Sequence, residues 1–349
     1  ERNLMMKRQS LQFVLLLAGL TASIAQAADP PEKALGDLTG PWQLFVDDYL
    51  VAEKTDVVRS YHPFTKYADN PVLSPSKSWE GRRSYLYGTV LPSEDGTGYR
   101  MWYQAYNEKG DFGGRRGYVN AYATSKDGID WEKPNLGIYR WRDSTDNNMF
   151  LARKHSPGDD HNPQVIHTPW EKDPQKKYKL ITFVYAADRN NPLDEGYWGS
   201  FSRDGIQWKD VAQNPVLPNG GDVGQFSWDA HKNKYMATVK IWTTVPRQEG
   251  FRRCIGTTFT RDFEHWPHPE VVLVPDEIDD SMHPGRWGVQ FYGLSSFAYE
   301  SGYIGLLWIF RTGSGGQIYV QLVSSRNGIH WTRVAPTNGM RPAILPNGP

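Results

Sequence analysis

One short string occurs four times in this chain, and it restricts the fold more than any other feature. Ser125-Lys126-Asp127-Gly128-Ile129-Asp130-Trp131 matches Ser202-Arg203-Asp204-Gly205-Ile206-Gln207-Trp208 and Ser325-Arg326-Asn327-Gly328-Ile329-His330-Trp331. Thr260-Arg261-Asp262-Phe263-Glu264-His265-Trp266 is a looser copy. The Asp or Asn positions 127, 204, 262 and 327 lie 77, 58 and 65 residues apart. Each copy follows an alternating run: Val119 to Thr124, Tyr197 to Phe201, Ile255 to Phe259 and Ile318 to Val323. Upstream stands an aromatic run, Tyr99 to Tyr106, Tyr178 to Tyr185, Tyr235 to Trp242 and Tyr303 to Phe310, each preceded by a polar turn and a first strand. No long segment after residue 27 has a helical period.

Each unit therefore reads as a four-stranded meander whose Asp-Gly turn leads into a Trp. Four-stranded units at this spacing are what a β-propeller requires, whereas a sandwich would not repeat one turn at one place. The acids Asp127, Asp204 and Asp262 read as turn chemistry, because Asp or Asn before Gly supplies a capped tight hairpin. The expectation is an all-β, five-bladed β-propeller of four-stranded antiparallel blades. Complete blades fall at about 80–140, 155–217, 221–275 and 285–346, with a partial blade at 42–75 built from Leu44 to Val51 and Val57 to His62. The string Asn214-Pro215-Val216-Leu217-Pro218-Asn219-Gly220 returns at the end of the chain as Pro342-Ala343-Ile344-Leu345-Pro346-Asn347-Gly348. The last blade is thus expected to be incomplete, with the chain read as truncated.

Composition narrows the function. Lys plus Arg and Asp plus Glu number 39 each, so there is no basic excess for nucleic acid or an acidic membrane surface. A single cysteine, Cys254, excludes an intramolecular disulfide framework and any multi-cysteine metal centre. His161, His167, His265 and His268 lack metal-ligand spacing, so no metal and no cofactor is expected; a single structural calcium is left open. Lys7 and Arg8, the apolar run Leu11 to Leu20 and Ala25-Gln26-Ala27 make residues 1–27 a secretory signal with its upstream residues. Residues 28–349 are then the propeller domain, secreted or periplasmic, free of the membrane after signal cleavage and monomeric.

Connectivity locates the working face. In a meander the short first-to-second turns and the Asp-Gly turns share one end, and the longer second-to-third loops and blade crossings share the other. Longer, chemically richer loops carry function. The loop end collects carboxylates, arginines and aromatics, the composition of a sugar site. The candidate acids are Glu80, Glu195 and Asp222, together with the adjacent pair Asp47 and Asp48 set in an apolar strand. Candidate substrate contacts are Arg83, Tyr87, His161, Trp198, Gln225, Arg286, Trp287 and Tyr292.

The turn strings, and the opening Trp42-Gln43-Leu44-Phe45-Val46-Asp47-Asp48-Tyr49-Leu50, resemble the five-bladed glycosidases of glycoside hydrolase families 32 and 43, the invertase, levanase and arabinanase group. The resemblance spans most of residues 42–349. It implies an exported glycoside hydrolase with a carboxylate acid and a carboxylate base or nucleophile in the axial funnel, and places the base or nucleophile at Asp47 or Asp48. The expected pairing is one of these two with Asp222, Glu80 or Glu195. The partner is a carbohydrate. A non-catalytic glycan-binding propeller, or a phosphorylase or lyase on the same fold, is the alternative. The Arg-Asp-Pro and Glu-Cys motifs of invertases have no counterpart, since Cys254 follows Arg253.

Overall fold

The turn strings fold as their chemistry requires. In the first, Ser125 Oγ accepts from the Gly128 amide at 2.8 Å, and Asp127 Oδ1 accepts from Ile129 and Asp130 at 2.8 and 3.0 Å. Gly128 sits at φ +81°, and Trp131 donates from Nε1 to its carbonyl at 3.1 Å. The 202–208 and 325–331 copies repeat the Ser and Asp/Asn bonds, with Gly205 at +78° and Gly328 at +72°. These side chains satisfy the turn amides locally, leaving the flanking strands free to pair.

A computed structural model describes residues 40–107, 117–153, 160–186, 195–218, 220–245, 250–282, 288–312, 315–337, 339–345 and 347. The signal at 7–27, and with it Arg286 and Trp287, lies outside the described residues. Among the described residues no helix is long and apolar enough to cross a membrane.

Four antiparallel sheets form, all within the unit 35–349. Blade 1 is β1 (Arg83–Pro92), β2 (Tyr99–Tyr106), β3 (Tyr118–Ser125) and β4 (Met149–Leu151). Blade 2 is β5 (Asp160–His167), β6 (Tyr178–Val184), β7 (Gly196–Ser202) and β8 (Lys209–Asp210), with β9 (Leu217–Pro218) also paired to β7. Blade 3 is β10 (Gly224–Asp229), β11 (Lys234–Thr244), β12 (Phe251–Thr260) and β13 (Glu270–Leu273). After a short helix, α1 (Glu277–Met282), blade 4 follows as β14 (Val289–Tyr299), β15 (Gly302–Arg311), β16 (Gln317–Ser325) and β17 (Trp331–Arg333). Each sheet runs in chain order, so the four first strands β1, β5, β10 and β14 lie innermost.

Aromatic and aliphatic faces bury between consecutive blades. Trp102, Phe150, Val165, Tyr178 and Leu180 fill the joint of blades 1 and 2. Ile181, Phe183, Tyr197, Phe226, Tyr235, Phe263 and Trp266 fill that of blades 2 and 3. Ile255, Leu273, Phe291, Leu294 and Leu307 fill that of blades 3 and 4.

The structure corrects the blade count: four blades are present among the described residues, where five were expected. Residues 40–77 contain no strand. The reason is local. Asp47 Oδ1 accepts from the Tyr49 amide at 3.1 Å, and the Val51 amide bonds the Asp48 carbonyl at 3.0 Å, so the run becomes a turn. Nor is the last sheet incomplete. Ile344 donates to the Val320 carbonyl at 2.8 Å, so the closing Pro-x-Ile-Leu string lines the third strand of blade 4 as β9 lines β7 of blade 2.

Candidate functional site

The inner strands are not regular. Register shifts fall between Tyr85 and Thr89 in β1, His161 and Gln164 in β5, and Phe291 and Gly293 in β14. A bulge adds a residue to one strand and re-aims its side chains, and bulges concentrate beside functional sites. Here they lie on Tyr87, Asn162 and Tyr292. Asn162, at φ +56°, donates to the Gly224 carbonyl at 2.7 Å, and Gln164 donates to the Gly88 carbonyl at 3.3 Å. Gln225 Oε1 accepts from the Ser296 amide at 2.6 Å. Side chains thus tie neighbouring inner strands around an axial channel lined by Tyr87, Gln164, Gln225 and Trp308 among others.

At the loop end of that channel stands Asp222, just before β10. Its carboxylate accepts from the Tyr185 hydroxyl and pairs with the Lys240 ammonium, while His161 donates from Nδ1 to its carbonyl at 2.8 Å. The Asp222 side chain is 28% exposed and that of Lys240 only 5%, so the acid faces outward from a buried cation. Burial pushes the Asp222 carboxyl up, but the Lys240 charge, the hydrogen bonds and His161 outweigh it and bring it down to about 2. Burial pushes the Lys240 ammonium down, and Asp222 restores only part of that loss.

Aromatic rings surround the acid. The His161 ring lies 4.9 Å from Tyr87, 4.7 Å from Tyr118 and 6.2 Å from Tyr185. Tyr87 also meets Trp308 at 6.1 Å, linking blade 1 to blade 4 across the axis. On the far side, Lys240 Nζ lies 4.3 Å over the Tyr292 ring, and Tyr292 meets Phe310 at 5.2 Å. Glu195 belongs to the same rim: its Oε2 accepts from the Ala186 amide at 3.2 Å, one residue beyond the tyrosine that binds Asp222.

Asp222, Tyr87, His161, Gln225 and Tyr292 are therefore gathered at the axis or its loop-end mouth, and Glu195, which precedes β7, is tied to the amide that follows Tyr185. Arg83 is exposed where β1 begins, beside Tyr85. Trp198 is set apart, in the third strand of blade 2, over the buried Arg153 guanidinium. The expected partnership of Asp47 or Asp48 with Asp222 is not formed. Asp47 pairs with Arg326 at 2.9 Å and accepts from Ser324, at the turn end of blade 4, opposite to the end that holds Asp222. Asp48 is held by Arg59 at 2.6 Å and Lys54 at 3.3 Å in the same exposed turn.

Glu80 also stands elsewhere. It is fully buried behind blade 1, where it accepts from the Ser76 and Lys77 amides, the Tyr103 hydroxyl and Lys133 Nζ at 2.6–2.8 Å. Its oxygens are saturated, so it anchors the chain leading into β1. The pairing of Asp160 with Arg153, itself bound to Asp210, is likewise an internal link of blade 2.

Sequence reasoning missed Tyr118, Tyr185 and Lys240 as site residues. A signal was present for two of them. The second strand of every unit ends in an aromatic (Tyr106, Tyr185, Trp242, Phe310), which places one at the loop end of each blade. Lys240 interrupts the apolar positions of Tyr235 to Trp242, and a lysine inside a buried strand requires a partner.

Comparison with solved structures agrees with this architecture. The chain superimposes on a thermostable family-43 glycoside hydrolase with a TM-score of 0.51 and 11% identity, covering 74% of each chain. A β-fructofuranosidase from Schwanniomyces occidentalis, complexed with fructosyl-erythritol, gives 0.50 and 12%, covering 78% of this chain and 48% of that one. An N-acetylgalactosamine deacetylase from F. plautii, in complex with blood group B trisaccharide, gives 0.53 and 12%, covering 83% and 76%. No protein-family model and no curated protein sequence matches. At these identities the likeness is one of fold: a β-propeller of the kind used by glycoside hydrolases of families 43 and 32.

Proposed function

We propose that the protein is an exported glycoside hydrolase acting at the loop-end mouth of the propeller axis. The observation that carries this reading is Asp222, an outward-facing carboxylate on a buried lysine, ringed by aromatic side chains and accompanied by a second acid. In this reading Asp222 remains ionised and serves as base or nucleophile toward the anomeric carbon. Glu195 is the acid that protonates the leaving oxygen. Tyr87, His161 and Tyr292 offer faces for sugar rings, which stack through their C–H surfaces, and Tyr185 and Lys240 hold the Asp222 carboxylate in place. The fold alone does not supply an activity, so the assignment rests on the site.

A glycan-binding propeller without catalysis is the second reading, favoured by the engagement of both Asp222 oxygens. Incubation with a panel of plant and microbial polysaccharides, followed by reducing-end and product analysis, separates the two. Glycosidase action gives new reducing ends that are absent with the Glu195→Gln variant. Retention of a glycan on the protein with no product at any enzyme concentration would contradict hydrolysis.

A further inference from the structure

Arg253 is placed unlike five other arginines of this protein. Arg153, Arg252, Arg326, Arg333 and Arg341 each lie against a carboxylate, at Asp160, Asp280, Asp47, Asp279 and Asp276. Arg253 has no carboxylate partner among the described residues. Its guanidinium donates to the neutral Gln290 Oε1, and its Nε is buried with no hydrogen-bond partner. The carbon of the guanidinium lies 4.3 Å over the Trp242 ring, 5.7 Å over Tyr292 and 5.5 Å over Phe310.

This cation is at the candidate site. Tyr292, which it covers, is the same ring that Lys240 covers from beside Asp222. Trp242 is 47% exposed, a platform open to solvent at the same rim. A guanidinium fixed by three aromatic rings loses little freedom on binding, and its remaining N–H groups can donate to an oxyanion. With Lys240 neutralised by Asp222, the Arg253 charge, against which no carboxylate of the described residues lies, is left for a ligand.

We propose that Arg253 recognises an oxyanion substituent, a carboxylate or sulfate ester, on the sugar bound next to Asp222, so that the substrate is an acidic glycan. The inference deepens the glycosidase reading and rests on the same mouth, but it concerns binding and can be tested without turnover. The probes are glucuronate, galacturonate and glucose 6-sulfate, with glucose, galactose and inorganic phosphate as comparisons, titrated against the full chain and followed by NMR. At least one acidic sugar should bind about tenfold or more tightly than its neutral parent, with affinity falling as salt rises. Arg253→Met should remove that preference and leave neutral-sugar binding in place, and Arg253→Lys should restore part of it. Preference among the acidic probes tells carboxylate from sulfate.

Equal binding of acidic and neutral sugars, no binding of any acidic sugar, or a preference that survives Arg253→Met would overturn the proposal. So would inorganic phosphate binding more tightly than every acidic sugar, which would point to a phosphorolytic pocket instead. If acidic sugars bind through Arg253 but no glycan is cleaved, the hydrolase reading fails and this inference stands. Cleavage confined to neutral glycans gives the reverse.

Discussion

Asp222→Asn should lower kcat/KM on the identified glycan by about 10²–10⁴-fold, the usual contribution of a positioned acid–base group. The amide keeps the shape of the side chain and can still accept from Tyr185. It cannot supply the negative charge that a developing positive sugar centre requires. It also strips Lys240 of its counter-charge, so the fold of the variant has to be verified by circular dichroism before rates are compared. Because the Asp222 carboxyl sits at about 2, below its ordinary 3.8, it stays ionised across the neutral and mildly acidic range. The sign for stability follows. A carboxyl lowered by folding contributes stability that is complete well above 3.8, declines as pH falls below it, and is gone below about 2. Asp222→Asn should therefore flatten the acid side of the stability profile, while the unpaired Lys240, its ammonium pushed further down, makes stability rise with pH on the alkaline side relative to the parent. A variant that is folded and hydrolyses at near parental rate would remove Asp222 from the mechanism.

The second large effect is on stability and lies away from the mouth. Glu80→Gln leaves the Lys133 ammonium, whose side chain is 6% exposed, without its carboxylate. Breaking one half of a buried pair costs about 3–5 kcal/mol, because the surviving charge is uncompensated. Urea unfolding should show a loss of that order. Adding Lys133→Met should recover much of it, since no buried charge then remains. Activity per folded molecule should stay close to the parent. A Glu80→Gln protein as stable as the parent but inactive would return Glu80 to the list of catalytic acids.

Much of the architecture was legible because turns are local. The Ser-x-Asp-Gly-x-x-Trp strings contain both donors and acceptors of their own hairpins, and three of the four copies carry the glycine that the positive φ demands. Blade order followed from their spacing. The N-terminal stretch misled for the opposite reason. Leu44 to Val51 has the apolar content of a strand, but Asp47 captures the Tyr49 amide and bends it, and whether a strand pairs depends on a neighbour that the local string does not contain. The same holds for the acids. Connectivity alone puts Asp222 and Glu195 on the loop side of their blades. The pairing of Asp47 or Asp48 with Asp222 required knowledge of which end the turn would dock on, and Arg326 holds it at the other end. Glu80 resembled a rim acid in sequence, yet four donors around it make it a buried anchor.

Sugar is proposed to bind at the loop-end mouth of the axis. A crystal structure of the Asp222→Asn protein soaked with the oligosaccharide that the parent cleaves tests this most directly. The expected density is a sugar ring between His161 and Tyr292, with the scissile oxygen within hydrogen-bond reach of Glu195 and any acidic substituent on Arg253. A sugar seated instead at the turn end beside Asp47 and Arg326, or on the flank of a blade away from Asp222, would contradict it.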